Sequence, residues 1–290
     1  MKSMLSLMTG VFYFDVARRK MTVADTFRIA SENAVPFVDA QRIASKEISA
    51  YEESIRLSGV KLYCYISFTS FFKSKRAILQ NLEKDMTTAR RLGAKLFMIN
   101  PYIPFRDDGK VKRAGKAGIH GRMIEGFRIA VDMGKRYGLI VCFEPIPRDI
   151  LHMSGIADCK FVLDNVPGLG FVLDTSNALT NGEDAMEAYR VFRDRIVHVH
   201  LKDVVMVDAP KSYFPDERAA DGRKILMVPF GKGIIPVKEI YETMIRDGYG
   251  GVFALEYTRP DSGPNGVSEN IAYLGSYLEY LQQNAPMQKG

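Results

Sequence analysis

Four short apolar runs in this chain each stop on a residue that can bind a metal ion or carry a proton. Leu139 leads to Glu144, Leu169 to Asp174 and Val252 to Glu256, while the stretch from Arg195 to Asp203 reads R-I-V-H-V-H-L-K-D. Ile196, Val197, Val199 and Leu201 are mostly β-branched, which suits a buried pleated strand whose polar residues collect toward its C-terminal end. Three carboxylates and an imidazole arriving from four separate strand ends make a cage for one divalent cation. Mostly hard oxygen ligands with one borderline nitrogen suit Mn²⁺, Mg²⁺, Co²⁺ or Zn²⁺ and leave positions open for a substrate. Such an ion polarises a sugar carbonyl and its neighbouring hydroxyl, and stabilises the enediolate formed when the carbon between them loses a proton. Glu144 and Glu256 would flank that carbon, one removing the proton and the other returning it.

Each residue also has a plainer reading. An isolated strand-end acid is more often a helix cap, an ion-pair partner or a solvated loop residue; the coincidence of four at corresponding ends weighs against that here. His198 and His200 lie two apart on a strand and so share a face, with His198 deeper and as well suited to a structural hydrogen bond as to function. Asn100, Asn177, Arg148, His152, Lys202, Lys232 and Arg259 fall near the same ends. Arg148, Lys202 or Arg259 could grip a phosphate or carboxylate. Lys202 is the strongest of the three, two residues beyond His200 and on the same face.

The elements that must carry these residues alternate strand and helix. Met4 to Met8 reads as the first strand, and Thr22 ahead of Val23-Ala24-Asp25 as a helix cap with an acid in the first turn. Strands follow at Pro36 to Ala40, Val60 to Phe68, Lys95 to Asn100, Leu139 to Pro145, Phe171 to Asp174, from Ile196, and at Val252 to Tyr257. Helices are expected at Ser45 to Leu57, Lys75 to Leu92, Met123 to Tyr137, within Asp149 to Leu163, and at Gly182 to Phe192, Pro236 to Asp247 and Ser268 to Gln283. A basic loop with Gly109, Gly115 and Gly118 precedes Met123, and Val204 to Ile235 reads as the longest irregular stretch. Eight strand-helix units in 290 residues imply an α/β chain folded as a single closed (β/α)₈ TIM barrel, one domain over 1–290. All strands of such a barrel present their C-terminal ends to one face, so the four ligand-type residues converge.

Composition narrows the class further. The formal charge of +6 could attract an anionic partner, but Lys73, Lys75, Arg76, Arg90, Arg91, Lys110, Lys112 and Arg113 are scattered among acids. They form no aromatic-interleaved stripe, so nucleic acid is not an expected partner. Cys64, Cys142 and Cys159 are an odd set without C-x-x-C spacing, as expected of reduced thiols in a cytoplasm. Met1 to Gly10 lacks the long apolar stretch of a signal peptide, and no window approaches the roughly 18 apolar residues of a membrane span.

F-E-P-I-P-R-D at 143–149, F-V-L-D-T-S-N at 171–177, V-H-V-H-L-K-D at 197–203, G-K-G-I-I-P at 231–236 and G-G-V-F-A-L-E-Y at 250–257 resemble the xylose isomerase-like TIM barrels. That superfamily includes tagatose-type sugar and sugar-phosphate 3-epimerases, inosose isomerases and dehydratases, and endonuclease IV. The resemblance implies that Glu144, Asp174, His200 and Glu256 bind Mn²⁺ or a similar ion, with the two glutamates also acting as acid and base. It implies a small-molecule substrate, a free or phosphorylated sugar or cyclitol, and is compatible with a homo-oligomer. Asn177 stands where the epimerases carry a histidine, and Lys202-Asp203 where they place other polar residues. The expectation is a metal-dependent isomerase or epimerase; an inosose-type dehydratase, an abasic-site endonuclease and a non-catalytic sugar-binding barrel are the alternatives. The endonuclease site is rich in histidine, and this chain has only four.

Overall fold

The computed structural model describes residues 4–12, 21–101, 108–146, 152–209, 218–228 and 230–256. Ten strands occur among them: β1 Met4–Met8, β2 Phe37–Gln41, β3 Lys61–Phe68, β4 Leu96–Asn100, β5 Ile140–Phe143, β6 Gly170–Asp174, β7 Ile196–Leu201, β8 Asp203–Val207, β9 Lys224–Val228 and β10 Val252–Leu255. Eight of them close into a parallel barrel in the order β1-β10-β7-β6-β5-β4-β3-β2, and β8 and β9 form a separate antiparallel ribbon. The helices are α1 Val23–Glu32, α2 Ile48–Ser58, α3 Lys75–Arg91, α4 Asp108–Tyr137, α5 Ile156–Asn165, α6 Ala185–Phe192 and α7 Val237–Arg246. This is the expected TIM barrel.

Local chemistry sets the helix starts. Thr22 accepts from the Asp25 amide at 3.2 Å and Asp25 returns the bond to the Thr22 amide at 2.8 Å, a capping box that satisfies two orphan donors. Asp184 caps α6 by accepting from the Glu187 amide at 2.8 Å.

Packing outside the barrel then aims the residues inside it. Phe127, Phe143, Phe171 and Phe192 form a run of ring contacts at 5.0, 5.7 and 4.1 Å between helices and strands. Each is wholly or almost wholly buried, and burial stabilises by roughly 2 kcal/mol per ring. Successive residues of a strand alternate faces, so Phe143 locked outward turns Glu144 toward the barrel interior.

Two expectations need correcting. Helix α4 begins at Asp108, well before Met123, and is broken at Gly115, where φ is 64°. Val111, Ile119, Met123, Phe127 and Ala130 are all buried, so the apolar stripe continues on both sides of the break and overrides the glycines. Within the supposedly irregular 204–235, β8 and β9 pair with Val205 opposite Leu226; their runs V-V-M-V and I-L-M-V are strand formers hidden by polar surroundings. The expected helix at Ser268 to Gln283, together with Arg148 and Arg259, lies outside the described residues. No helix among the described residues is long and apolar enough to cross a membrane.

Candidate metal centre

Glu144 follows β5, Asp174 ends β6, His200 lies on β7 and Glu256 follows β10, so four strand ends along one arc of the rim supply four ligand-type side chains. One ligand atom from each falls within 4.8 Å of every other. His200 Nδ1 is 3.0 Å from Glu144 Oε2 and 2.9 Å from Glu256 Oε2. Asp174 Oδ1 accepts from the Ser176 and Asn177 amides, both at 2.9 Å, which turns Oδ2 into the site. Lys202 Nζ sits 2.8 Å from that Oδ2 and 3.1 Å from Glu256 Oε1.

The strand ends are tied to each other as well. The Thr175 hydroxyl donates to the Lys202 carbonyl and accepts from the Lys202 amide, both at 2.8 Å, which fixes β6 against β7 at the level of the site. Asn177 donates from Nδ2 to the Pro145 carbonyl at 3.0 Å and receives Lys202 Nζ on Oδ1 at 3.4 Å. It links the segments after β5, β6 and β7.

Proton affinities at the site diverge. Burial alone would lower the pKa of the His200 imidazole, but its hydrogen bonds to Glu144 and Glu256 hold it well above the ordinary histidine value. Burial raises the Glu144 carboxyl, against the pull of His200. Glu256 resists burial through the Lys202 ammonium and His200, and is pulled down to about 2.

These residues fit a divalent cation. Among the described residues, His200 Nε2 is buried with no hydrogen-bond partner, and Asp174 Oδ2 and Glu256 Oε2, although near Lys202 and His200, lack hydrogen bonds of good geometry. Three carboxylates beside one ammonium leave an excess of two negative charges, which a doubly charged ion would balance with His200 neutral. The donor set, three oxygens' worth of carboxylate and one imidazole, is that of a Zn²⁺ or Mn²⁺ class ion.

The other expected site residues fare unevenly. Asn100 ends β4 at the same face, its carbonyl accepting from the Thr69 amide at 3.2 Å. His152 stands at φ 47° with its carbonyl 3.2 Å from His120 Nε2, and among the described residues its ring makes no hydrogen bond to the four ligand-type side chains. His198 faces Asp39 at 2.6 Å, with its other nitrogen 3.0 Å from the Val252 carbonyl, and Ser6 donates to Asp39 at 2.7 Å. That places His198 in a buried polar chain beneath His200, the structural alternative.

Asp203 is the residue that sequence reasoning underrated. Its Oδ1 accepts from the Val204 and Ile235 amides at 2.9 and 3.1 Å, and its Oδ2 from those of Gly231 and Gly233, both at 2.9 Å. A side chain on Gly233 would strike this carboxylate. The available signal was an aspartate at a strand end paired with a later G-K-G.

A family model described as Xylose isomerase-like TIM barrel matches residues 24–277. The chain belongs to that family. It is 24% identical over 137 residues to an inosose dehydratase from Lacticaseibacillus casei, a match covering 47% of this chain and 46% of that relative, so the chain spans about half the length of the curated relative it matches. Among solved structures, the IOLI protein with a bound zinc atom superposes with a TM-score of 0.75 at 15% identity, covering 98% of this chain and 99% of that one. The 3-keto-D-glucoside 4-epimerase YcjR from E. coli gives a TM-score of 0.68 at 15% identity, covering 96% and 100%. At these identities the structural matches speak for the fold.

Proposed function

We propose that this chain is a divalent-metal-dependent isomerase or epimerase acting on a polyhydroxylated carbonyl compound by proton transfer at the carbon beside the carbonyl. The observation that carries this reading is the pair Glu144 and Glu256, which come from the ends of β5 and β10 and each approach His200 Nδ1 to about 3 Å, so that two carboxylates border one site. Two carboxylates at one site, arriving from strands on either side of His200, are suited to act as acid and base.

Glu144, Asp174, His200 and Glu256 would hold the ion, which when bound supplies Lewis acidity for the carbonyl and its neighbouring hydroxyl. The protein's own groups do the rest. Glu256, kept ionised by Lys202, takes the proton from carbon; Glu144 returns one to the opposite face. Lys202 and Asn177 orient hydroxyls of the substrate, and Asn100 adds a polar group from β4. Phe143 and Phe171, packed outside the barrel, keep the strand ends rigid through the reaction.

A dehydratase is the second reading. Lys202 Nζ lies 3.1 Å from Glu256, so a proton donor stands beside the proposed base where a β-hydroxyl could be expelled as water. The matched inosose dehydratase supports this alternative.

The experiment is incubation of the Mn²⁺-loaded protein with a panel of ketoses and inososes in D₂O, followed by NMR and mass spectrometry. Deuterium at the carbon beside the carbonyl, lost in Glu144→Gln and Glu256→Gln, is the expected result. Loss of water from the substrate would select the dehydratase, and absence of both exchange and dehydration across the panel would refute the proton-transfer reading.

A further inference from the structure

Beneath the four ligand-type residues the barrel interior carries a second polar layer. Ser6 on β1, Asp39 on β2 and His198 on β7 are all buried, the last two with no exposed surface at all. His198 lies two residues before His200 on one strand and shares its inward face, and the two rings meet edge to face at 5.2 Å. A carboxylate in such a place is costly unless its lone pairs are used.

Asp39 has lone pairs to spare. Oδ1 accepts from the Ser6 hydroxyl at 2.7 Å and Oδ2 faces His198 Nε2 at 2.6 Å, one hydrogen bond on each oxygen where a carboxylate oxygen takes two. His198 has nothing left to give. The Val252 carbonyl, 3.0 Å from its Nδ1, only accepts, so that nitrogen carries a hydrogen, and Nε2 is committed to Asp39. His200 shows the opposite: its Nδ1 faces Glu144 and Glu256, while its Nε2 is buried without a partner among the described residues. A ring nitrogen of His200 lies within 4.8 Å of a nitrogen of His198 and an oxygen of Asp39.

With a divalent ion on Nδ1, the hydrogen of a neutral His200 ring sits on Nε2, on the side of the ring away from the glutamates. A buried N–H without an acceptor is destabilising, and histidines that bind metals almost always pass that hydrogen to a carboxylate, a carbonyl or a water. We propose that Asp39 is the acceptor for the His200 Nε2 hydrogen, directly or through one water, and is thereby a positioning residue that fixes which nitrogen His200 presents to the ion. This rests on the metal reading of Glu144, Asp174, His200 and Glu256. Ser6 and His198 hold Asp39 in place for that task. The same cluster makes a poor second cation site, because both nitrogens of His198 are already occupied.

The test is titration of the metal-free full chain, labelled with nitrogen-15 histidine, with ZnCl₂, read by calorimetry and by proton–nitrogen spectra of the histidine rings. In the wild type, one equivalent of Zn²⁺ should give His200 a metal-bound Nδ1 and a slowly exchanging Nε2 hydrogen. Asp39→Asn, which keeps the size and removes the charge, should weaken Zn²⁺ binding about 10- to 100-fold and speed exchange of that hydrogen. Ser6→Ala, which removes one tether of Asp39 and no charge, should move both readouts the same way by a smaller factor; with the wild-type spectrum it decides the matter if Asp39→Asn does not fold. Zn²⁺ on Nε2, a freely exchanging Nε2 hydrogen, or an Asp39→Asn affinity within about threefold of wild type would overturn the role of Asp39 and leave the four-ligand site standing. Uptake of two ions per chain would make the lower cluster a cation site and overturn it equally. A wild type that takes up no Zn²⁺ would remove the metal site, and this inference with it.

Discussion

Replacing Asp203 with asparagine keeps the shape of the side chain and changes what it can accept. Oδ2 now takes two amide protons, from Gly231 and Gly233, and Oδ1 takes two, from Val204 and Ile235. Whichever way the new amide is turned, its NH₂ faces two backbone donors and accepts from neither. Hydrogen bonds to a charged group contribute about 1.5–3 kcal/mol each, so two lost bonds correspond to about 3–6 kcal/mol. Asp203 is almost fully buried, so water does not restore the missing acceptors. For a chain of this size such a loss lowers the melting temperature by roughly 10 °C, read by circular dichroism with urea titration alongside. Asp203→Glu, which keeps the charge but not the reach, should fall between. A shift of less than about 1 kcal/mol for Asp203→Asn would show that this carboxylate does not anchor the 231–235 turn.

Lys202→Met should still bind one equivalent of Mn²⁺ by atomic emission, since Lys202 is not among the four ligands, yet lose at least about 100-fold in turnover if its ammonium orients substrate and keeps Glu256 ionised. Loss of the ion together with activity would assign it to the metal site instead. Burial and the Asp247 carboxylate, 2.6 Å away, push the Tyr189 phenol up to about 12. Its folded value thus exceeds the unfolded one near 10, so the stability it confers is complete below about pH 10 and is lost as pH rises through about 12. Ultraviolet phenolate titration of wild type against Tyr189→Phe should show one late-ionising tyrosine missing from the variant, and a missing ionisation near pH 10 would contradict the sign.

Much of this fold is legible in the sequence because its signals are local. The end of β6 at Asp174, the start of β10 at Val252, the Thr22 cap and the α7 helix follow from apolar runs, capping residues and helical spacing within a few positions. Glu144, Asp174, His200 and Glu256 could be grouped because a parallel barrel brings corresponding strand ends together, and the coordinates bring them together. The early start of α4 was hidden because Gly109, Gly115 and Gly118 read as breakers, whereas burial of Val111 and Ile119 decides the outcome. The contacts of Asp203 with Gly231 and of His198 with Asp39 join residues 28 and 159 positions apart, and no local pattern encodes them. His152 has the right residue type near the right strand, but it stands at positive φ with its carbonyl toward His120, and no local pattern in the sequence encodes that contact.

Anomalous scattering from crystals of the wild type and of His200→Ala, each soaked in MnCl₂, tests the central claim most directly. The expected result is one peak bonded at about 2.0–2.3 Å to Glu144, Asp174, His200 and Glu256 in the wild type, weak or lost in the variant. A peak elsewhere, or none at the four residues while the ion binds in solution, would contradict it.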